Sequence, residues 1–439
     1  MSGWVLAVLV IGVNSVLWGG VGLLRFVDER LARWRRRRRG AVDPPAQRLT
    51  TSDVAVLMAA HDEELVIAHS LAAITELVPA GNVHVVSDFS GDATAELARV
   101  AGVQVLETAT NVGKAGALQQ GIDHFGLAGR FGAVLVLDAD TQLDPAYFDV
   151  ALPMFDDPRV AAVAGCAETR WNPAEVGFRG AVVVAHRQRV YTLTQRLLKY
   201  GQTWRGVNAT HIVPGFASMY RAAVLEQIEV NPSGLVIEDF NMTFELHAKQ
   251  LGRVAFSTRA RAYTQDPSHY GDYVRQTSRW ALGLWQTLRR HRPRRGVFAL
   301  MLTVLIAELL TSSVLFVVLP LVVLLLGAVE LAGAVGVDTA AQVADAVDDH
   351  VGLVPLLLAV VLPDYLLTCA VALVERRPRY LYLGLFFLAM RVTDAVIALR
   401  TLPRAWRTPS NGQWVSPTRR AMVPDGSRVL APEGFGTTV

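Results

Sequence analysis

The stretch AVLVLDAD at residues 133–140 decides the fold, because an apolar run with the length and branching of a buried strand ends there in two aspartates. Asp138 and Asp140 follow the run at the carboxyl end of the strand, where open α/β sheets bind ligands. Two carboxylates so close repel each other unless a positive group lies between them. A hard divalent cation such as Mg²⁺ meets that need, since it takes one or two carboxylates and fills its shell with diphosphate oxygens. The alternative is a loop whose acids only cap the next helix.

Apolar runs and helical patterns alternate along the chain before this strand. The predicted strands are residues 53–60, 83–86, 103–107 and 133–137, and the predicted helices are residues 63–77, 92–100 and 114–125. This alternation indicates a doubly wound, mostly parallel α/β sheet of the Rossmann-like type. Right-handed crossovers bring the carboxyl ends of such strands to one rim. Four loops then meet there, with His61, Asp62, Glu63, Asp88, Lys114, Asp138 and Asp140.

The composition indicates a membrane protein with a soluble part. Of the 439 residues, 52% are hydrophobic and only 18% are charged, whereas soluble domains carry about 25% charged residues. Residues 3–24 are apolar and long enough to cross a bilayer. The arginine block that follows, residues 35–39, is expected on the cytoplasmic side. Beside a membrane span such a block favours anionic lipid as its partner over nucleic acid.

Three more apolar stretches follow the α/β region, at residues 297–327, 351–374 and 381–399. The acidic loop 330–349 is expected outside the cell, and the basic segment 375–379 inside. If the basic tail is also inside, the third stretch re-enters or lies in the interface, or residues 297–335 make two crossings. The third stretch carries Arg391 and Asp394, whose spacing would allow them to pair with each other.

These patterns divide the chain into five parts. We predict an N-terminal transmembrane helix, a basic juxtamembrane linker, an α/β catalytic domain, C-terminal membrane helices and a cytosolic tail, at residues 1–25, 26–51, 52–290, 297–400 and 401–439. The two cysteines, Cys166 and Cys369, are far apart and predict neither a disulfide framework nor a metal cluster.

A second carboxylate pair, Glu238 and Asp239, follows a short apolar segment. No histidine or further acid is near it in sequence, which disfavours a second metal site. Asp239 is better placed as a general base that takes a proton from an attacking hydroxyl. The alternative is a helix N-cap, a position that aspartate favours.

Gln276, Arg279 and Trp280 fall on one face of a predicted helix, at positions i, i+3 and i+4. An arginine offers a two-pronged fork to phosphate, a tryptophan ring can stack on a sugar, and a glutamine can bridge phosphate and acceptor. The alternative is an amphipathic interfacial helix with a belt of tryptophan and arginine.

Together these parts fit displacement at the sugar carbon of a sugar nucleotide. A divalent cation at Asp138 and Asp140 would neutralise the leaving diphosphate. A single base would activate an acceptor hydroxyl that attacks from the opposite side, which implies inversion at the sugar carbon. The predicted roles are donor binding for His61, Glu63, Asp88, Lys114 and Asp138, metal binding for Asp138 and Asp140, catalysis for Asp239, and acceptor or diphosphate binding for Glu238, Gln276, Arg279 and Trp280.

The ordered set of Asp88, Asp138-Ala139-Asp140, Glu238-Asp239 and Gln276-x-x-Arg279-Trp280 resembles the family 2 glycosyltransferases. The processive membrane branch, with the cellulose, hyaluronan and poly-N-acetylglucosamine synthases, is the most similar. The resemblance implies a cytoplasmic GT-A domain at the plasma membrane, a UDP-sugar donor, Mg²⁺ or Mn²⁺, Asp239 as base, and a glycan that leaves between the membrane helices. A partner for export is not readable from the chain.

The chain departs from this family pattern in two loops. It has His61-Asp62-Glu63 where the family usually has Tyr-Asn-Glu, and Ser87-Asp88-Phe89-Ser90 where it usually has Asp-Asp-Gly-Ser. Phe89 therefore replaces a glycine, which is expected to reshape the nucleotide pocket. In the tail, residues 414–419 resemble the gating segment of cellulose synthases; the alternative is a disordered tail.

The sequence is also compatible with two other functions. One is transfer of a single sugar to a lipid acceptor, such as a polyprenyl phosphate or a glycerolipid. The other is a non-catalytic membrane protein whose α/β domain only binds nucleotides.

Overall fold

The computed structural model describes residues 3–38, 49–170, 176–336 and 353–407. The strands are β1 Val54–Ala60, β2 Val83–Ser87, β3 Gln104–Glu107, β4 Ala133–Leu137, β5 Gln142–Leu143, β6 Val160–Thr169, β7 Ala217–Arg221 and β8 Arg253–Thr264. They form one sheet in the order β3-β2-β1-β4-β7-β6-β8-β5. The pairs β3/β2, β2/β1, β1/β4 and β6/β8 are parallel, and β4/β7, β7/β6 and β8/β5 are antiparallel. The predicted mostly parallel α/β sheet is confirmed, and strands β7 and β5 add antiparallel pairs to it.

Helices connect and flank these strands. They are α1 Gly3–Ile11, α2 Val13–Arg38, α3 Ile67–Thr75, α4 Thr94–Val100, α5 Gly113–His124, α6 Leu127–Arg130, α7 Tyr147–Ala151, α8 Phe178–Thr192, α9 Tyr200–Gln202, α10 Ala222–Leu225, α11 Glu238–Ala248, α12 Tyr270–His291, α13 Gly296–Ala334, α14 Leu353–Val374, α15 Tyr380–Leu383 and α16 Phe387–Arg407. A π-helical turn, Leu193–Lys199, continues α8.

Strand β4 lies inside the sheet and is buried on both faces, as its apolar run predicts. Leu135 and Leu137 pack into the core on one face, and Val134 and Val136 pack into the core on the other. Side chains alternate across a strand, so one uninterrupted apolar run supplies both cores. Burying each of these side chains contributes about 1.5–3 kcal/mol. This burial holds the two aspartates that follow β4 at the rim.

The N-terminal apolar segment forms two helices rather than one. Gly12, with a φ of +95°, separates α1 from α2. Helix α2 continues to Arg38, so the first part of the predicted juxtamembrane linker is helical. The Arg25 guanidinium donates hydrogen bonds to the carbonyl oxygens of Tyr200, at 2.7 Å, and Phe256, at 3.1 Å. The N-terminal helices are thus attached to the α/β unit.

Three helical segments are long and apolar enough to cross a membrane, namely Gly296–Ala334, Leu353–Val374 and Tyr380–Arg407. The first is one continuous helix of 39 residues with Pro320 inside it. Two crossings in residues 297–335 are therefore ruled out. At 1.5 Å per residue this helix is about 58 Å long, well beyond the roughly 30 Å of a bilayer core. The acidic loop predicted at residues 330–349 and the tail segment 414–419 lie wholly or largely outside the described residues.

The hypothesis that Arg391 and Asp394 pair with each other is wrong. The Arg391 guanidinium donates to Asp364 in α14 at 2.8 Å. Asp394 instead accepts a 2.6 Å hydrogen bond from the Tyr273 hydroxyl and lies 2.9 Å from Nε2 of His186. Neighbouring helices offer buried partners that helical spacing within one segment cannot reveal.

We predict that Gly165→Ala destabilises the protein strongly. A Cβ at Gly165 in β6 would lie 2.0 Å from the carbonyl oxygen of Ala217 in β7, so the two strands would have to separate. The expected loss is at least about 1–3 kcal/mol, measured as a lower unfolding temperature of the purified protein. Gly129→Ala is the matched control, because its Cβ would meet open space. Equal unfolding temperatures for the two variants would contradict the close approach of β6 and β7.

Candidate active site

Asp88 joins β2 to the first turn of α5. Its side chain is fully buried. One carboxylate oxygen accepts hydrogen bonds from the Thr108 hydroxyl at 2.9 Å and the Val112 N–H at 2.8 Å, and the other accepts from the Gly113 N–H at 2.8 Å. These bonds fix the loop that carries Lys114. The observed contacts of the Asp88 side chain are all to the loop that precedes Lys114. Binding of the nucleotide by Asp88 stays a prediction.

The loop after β1 lies against the same corner of the sheet. Nδ1 of His61 is 2.6 Å from the carbonyl oxygen of Asp88. Glu63 is fully buried, and its N–H donates to the Thr94 hydroxyl at 2.8 Å. Phe89, which follows Asp88, has a φ of +53° and a 59% exposed side chain. The structure therefore places His61 beside Asp88 and Glu63 beside Thr94, and donor binding by His61 and Glu63 stays a prediction.

Lys114 connects the two carboxylate pairs. Its ammonium lies 2.6 Å from Asp138 and 3.2 Å from Glu238, and it donates to the carbonyl oxygen of Gly215 at 3.3 Å. Burial alone would lower the pKa of Lys114, but the carboxylates of Asp138, Glu238 and Asp239 outweigh it and raise that pKa. Lys114 therefore places a positive group between Asp138 and Glu238, one carboxylate from each pair.

Glu238 and Asp239 form the first turn of α11, and Ile237 occupies the N-cap position. The N-cap alternative for this acid pair is therefore wrong. The carboxylate of Asp239 accepts hydrogen bonds from the N–H groups of Phe240, at 2.9 Å, and Gly215, at 3.2 Å. Burial, with the charge of Glu238, raises the pKa of Asp239 to about 7. A carboxyl with that pKa can hold and release a proton near neutral pH.

Asp138 and Asp140 suit only some kinds of metal site. Asp140 is 4% exposed and accepts a hydrogen bond from the Thr141 hydroxyl at 3.3 Å, whereas Asp138 is partly exposed. In the described part of the chain, no group of three or more His, Cys, Asp or Glu side chains could hold a metal ion. The pair therefore does not fit a cation enclosed by protein ligands alone. It fits a cation that brings diphosphate oxygens with it.

The Gln276–Trp280 motif lies on α12, next to α11. Trp280 packs against the apolar cluster of Ile237, Phe240 and Leu284, which adjoins the Glu238–Asp239 pair. Arg279 is partly exposed, and within the described residues no hydrogen bond or ion pair involves it. The same helix also packs on α16, where the Trp285 indole N–H donates to the Ala398 carbonyl at 3.2 Å. Helix α12 is thus both the motif helix and the contact with the apolar helices.

Arg187 in α8 is a site residue that the sequence analysis missed. Its guanidinium donates to the Gln276 amide oxygen at 2.9 Å and the Thr277 hydroxyl at 3.1 Å. The guanidinium carbon lies 4.4 Å from the centre of the Trp280 ring. Asp266 is 3.8 Å away and buried beside it. The run His186-Arg187-Gln188-Arg189 in an otherwise apolar helix was the available signal, because buried charges require partners.

The family model described as glycosyl transferase family group 2 matches residues 133–368, more than half of the chain. The chain belongs to this family. The enzyme is therefore a family 2 glycosyltransferase, whose donor is a nucleotide sugar, and its mixed sheet is that of a GT-A domain. The family was predicted correctly, while membership of the processive branch stays a proposal. No curated protein sequence matches the chain.

The solved structures that are similar to this one include a mannosyltransferase and a glucosyl-3-phosphoglycerate synthase. A mannosyltransferase from Pyrobaculum calidifontis, in complex with GDP-Man and Mn²⁺, is 18% identical over 88% of this chain and 99% of its own, with a TM-score of 0.48. Glucosyl-3-phosphoglycerate synthase from Mycobacterium tuberculosis, with Mn²⁺, UDP-glucose and glycerol 3-phosphate, is 17% identical over 56% of this chain and 82% of its own, with a TM-score of 0.34.

We predict that kcat/KM of this glycosyltransferase rises as pH increases through about 7, because Asp239 must lose its proton before it can act as a base. The same raised pKa means that ionising Asp239 lowers the stability of the fold as pH rises from 3.8 to about 7. The rate is measured from about pH 5 to about pH 9.

Asp123→Asn, which changes an exposed carboxylate on α5, is the control and should leave the pH profile unchanged. A parent enzyme with a flat profile across this range would contradict the assignment of Asp239.

Proposed function

We propose that the protein is a membrane-integrated, inverting glycosyltransferase that adds sugars from a UDP-sugar to a growing polysaccharide, as a processive β-glycan synthase. The observation that carries the proposal is the position of Lys114. This lysine contacts both Asp138, on the donor side, and Glu238, beside the proposed base. The sugar donor and the acceptor hydroxyl can therefore meet next to Lys114.

On the donor side, residues of the chain neutralise the diphosphate and orient the nucleotide sugar. Asp138 and Asp140 would hold a cation, Mg²⁺ or Mn²⁺, which when bound would neutralise the charge of the leaving diphosphate. Lys114 and Arg279 add positive charge to that end of the donor. Asp88 and His61 orient the loops around the base and ribose, and Phe89 replaces a glycine in that pocket. Since Lys114 is held by Asp138, it is positioned before the donor binds.

On the acceptor side, Asp239 takes the proton of the attacking hydroxyl. The hydroxyl oxygen forms a bond to the sugar carbon, and the bond from that carbon to the diphosphate oxygen breaks. Attack opposite the leaving group inverts the sugar carbon. Trp280 offers a ring face to the acceptor sugar, and Arg187 holds that ring and Gln276 in place.

The contact between α2 and the α/β unit supports a cytoplasmic position for the catalytic domain. Arg25 hydrogen-bonds to Tyr200 and Phe256, so the basic end of α2 lies beside the catalytic domain. Basic segments next to membrane helices stay on the cytoplasmic side. The catalytic domain is thus cytoplasmic, and the plasma membrane is the compartment that suits a polysaccharide product.

A second candidate is transfer of one sugar to a membrane lipid. The observation that favours it is the number of membrane-length apolar helices, which is three in the described residues. Few helices leave little room for a wide channel, whereas a lipid acceptor needs only access from the bilayer.

The test is the size of the product. Purified protein is incubated with radiolabelled UDP-sugars and Mn²⁺ or Mg²⁺, and the product is sized. We expect a polymer, and a single glycolipid extracted into organic solvent would contradict processive synthesis. Asp239→Asn should bind UDP like the parent but lose turnover by about 10²–10⁴-fold. Parental turnover in Asp239→Asn would contradict its role as base.

A further inference from the structure

A groove with a volume of about 340 Å³ lies between the end of α12 and the first half of α13. Leu288 and Arg292, at the end of α12, line one side of it. The other side is α13, which contributes Ala299, Leu302, Ile306 and Leu310. These four positions recur every three or four residues, so they belong to one face of the helix. The groove therefore follows α13 along its length.

The α13 side of the groove is about as long as one leaflet of a bilayer is deep. From Ala299 to Leu310 the helix rises about 16 Å, at 1.5 Å per residue. Half of a bilayer core of roughly 30 Å is about 15 Å. Helix α13 is long and apolar enough to cross a membrane, and it begins at Gly296, next to the helix that carries the acceptor motif. The groove thus lies along the leaflet that faces the catalytic domain.

The lining of the groove is apolar except for two residues, Thr303 and Arg292. The Thr303 hydroxyl donates to the carbonyl oxygen of Ala299 at 2.8 Å, so its proton is already used. A wall of this kind offers few hydrogen bonds to a sugar. It suits a hydrocarbon chain, which needs none.

The segment that joins α12 to α13 is strongly basic. Residues 289–295 read RRHRPRR and contain no acid. Arg290 forms an ion pair with Glu229. Within the described residues, no ion pair involves Arg289, Arg292, Arg294 or Arg295. Most of the positive charge beside the groove is therefore not neutralised by carboxylates of this chain.

The positive charge and the apolar groove meet at Arg292. This residue is exposed and lines the groove, and Arg294 and Arg295, which follow it, are exposed as well. A basic run alone is usually a solvated surface. Arginines immediately beside a membrane helix attract anionic lipid headgroups, and the guanidinium group matches the geometry of a phosphate. A leaflet-deep apolar groove that begins at such a run has the two parts that a phospholipid requires.

The groove also adjoins the acceptor motif. Leu288 and Ile306 line the groove and pack on the apolar cluster that supports Trp280. A chain that fills the groove would therefore pack against residues that hold α12 in place on α13.

We propose that this groove binds an anionic phospholipid from the leaflet that faces the catalytic domain. Its phosphate contacts Arg292 and Arg294, and one of its acyl chains lies along α13 from Ala299 to Leu310. The lipid is a bound ligand that stays chemically unchanged, and it is neither donor nor acceptor. The proposal rests on the membrane integration in the proposed function and is independent of the sugar transferred.

The test compares lipids that differ in their headgroup. Purified full-length protein in a neutral detergent is titrated with dioleoyl phosphatidylglycerol, dioleoyl phosphatidylcholine or glycerol 1-phosphate, and its unfolding temperature is measured. A ligand that binds the folded state raises that temperature. We expect phosphatidylglycerol to raise it at lower concentration than phosphatidylcholine does. Glycerol 1-phosphate, which has no acyl chains, should leave it unchanged.

The charge at the groove is tested with the double variant Arg292→Gln and Arg294→Gln. Each arginine removed should weaken binding of phosphatidylglycerol about fivefold, and binding of phosphatidylcholine should not change. Arg130→Gln is the matched control, because Arg130 is also exposed but lies in α6, just before the amino end of β4.

The apolar part is tested with Ala307→Phe. Ala307 is exposed and lines the groove, so the larger ring takes space from an acyl chain. Binding of phosphatidylglycerol should weaken at least about tenfold. Leu300→Phe is the matched control, since Leu300 is exposed on the same helix but outside the groove. The unfolding temperature without lipid shows whether each variant is folded.

Equal affinity of the parent for the two phospholipids would overturn the proposal, as would parental binding of phosphatidylglycerol by either test variant. Stabilisation by glycerol 1-phosphate equal to that by phosphatidylglycerol would assign the arginines to a free phosphate instead. Sugar transfer is assayed separately. A parent that prefers phosphatidylglycerol but transfers no sugar would contradict the proposed function and leave the lipid site supported.

Discussion

The contact of one lysine with two carboxylates is the constraint on which the site depends. Asp138 and Glu238 come from distant parts of the chain, and each would repel the other in a region of low dielectric. The ammonium of Lys114 lies between them, at 2.6 Å and 3.2 Å. Because Asp88 fixes the loop before Lys114, the strand ends of β2 and β4 and the start of α11 are held as one unit.

A second group of contacts joins this unit to the apolar helices. Arg187 packs on Trp280 on the catalytic side of α8, and Arg189, two residues later, pairs with Asp364 of α14. Buried ion pairs of this kind add little net stability, but removal of one partner is strongly destabilising. The Arg189–Asp364 ion pair and the Arg187–Trp280 contact therefore fix the position of the acceptor motif relative to the apolar helices.

The sequence pattern predicted the features that depend on neighbouring residues in the chain. The apolar run that forms β4 and the acids that follow it could be recognised because burial and strand ends are visible in sequence. The partners of Arg391, the role of Arg187 and the helix break at Gly12 could not, since each depends on contacts between distant elements or on one backbone angle. Strand β8 was also missed, because its arginines interrupt the apolar pattern.

The most direct test of the account is a double-mutant cycle on kcat/KM with Asp138→Asn and Glu238→Gln. If Lys114 joins the two carboxylates, the two changes should couple by about 0.5–3 kcal/mol, and the coupling should change in size or sign in a Lys114→Met background, where only the direct repulsion between the carboxylates remains. Effects that add to within about 0.3–0.5 kcal/mol would place the two acids in independent sites and contradict the account.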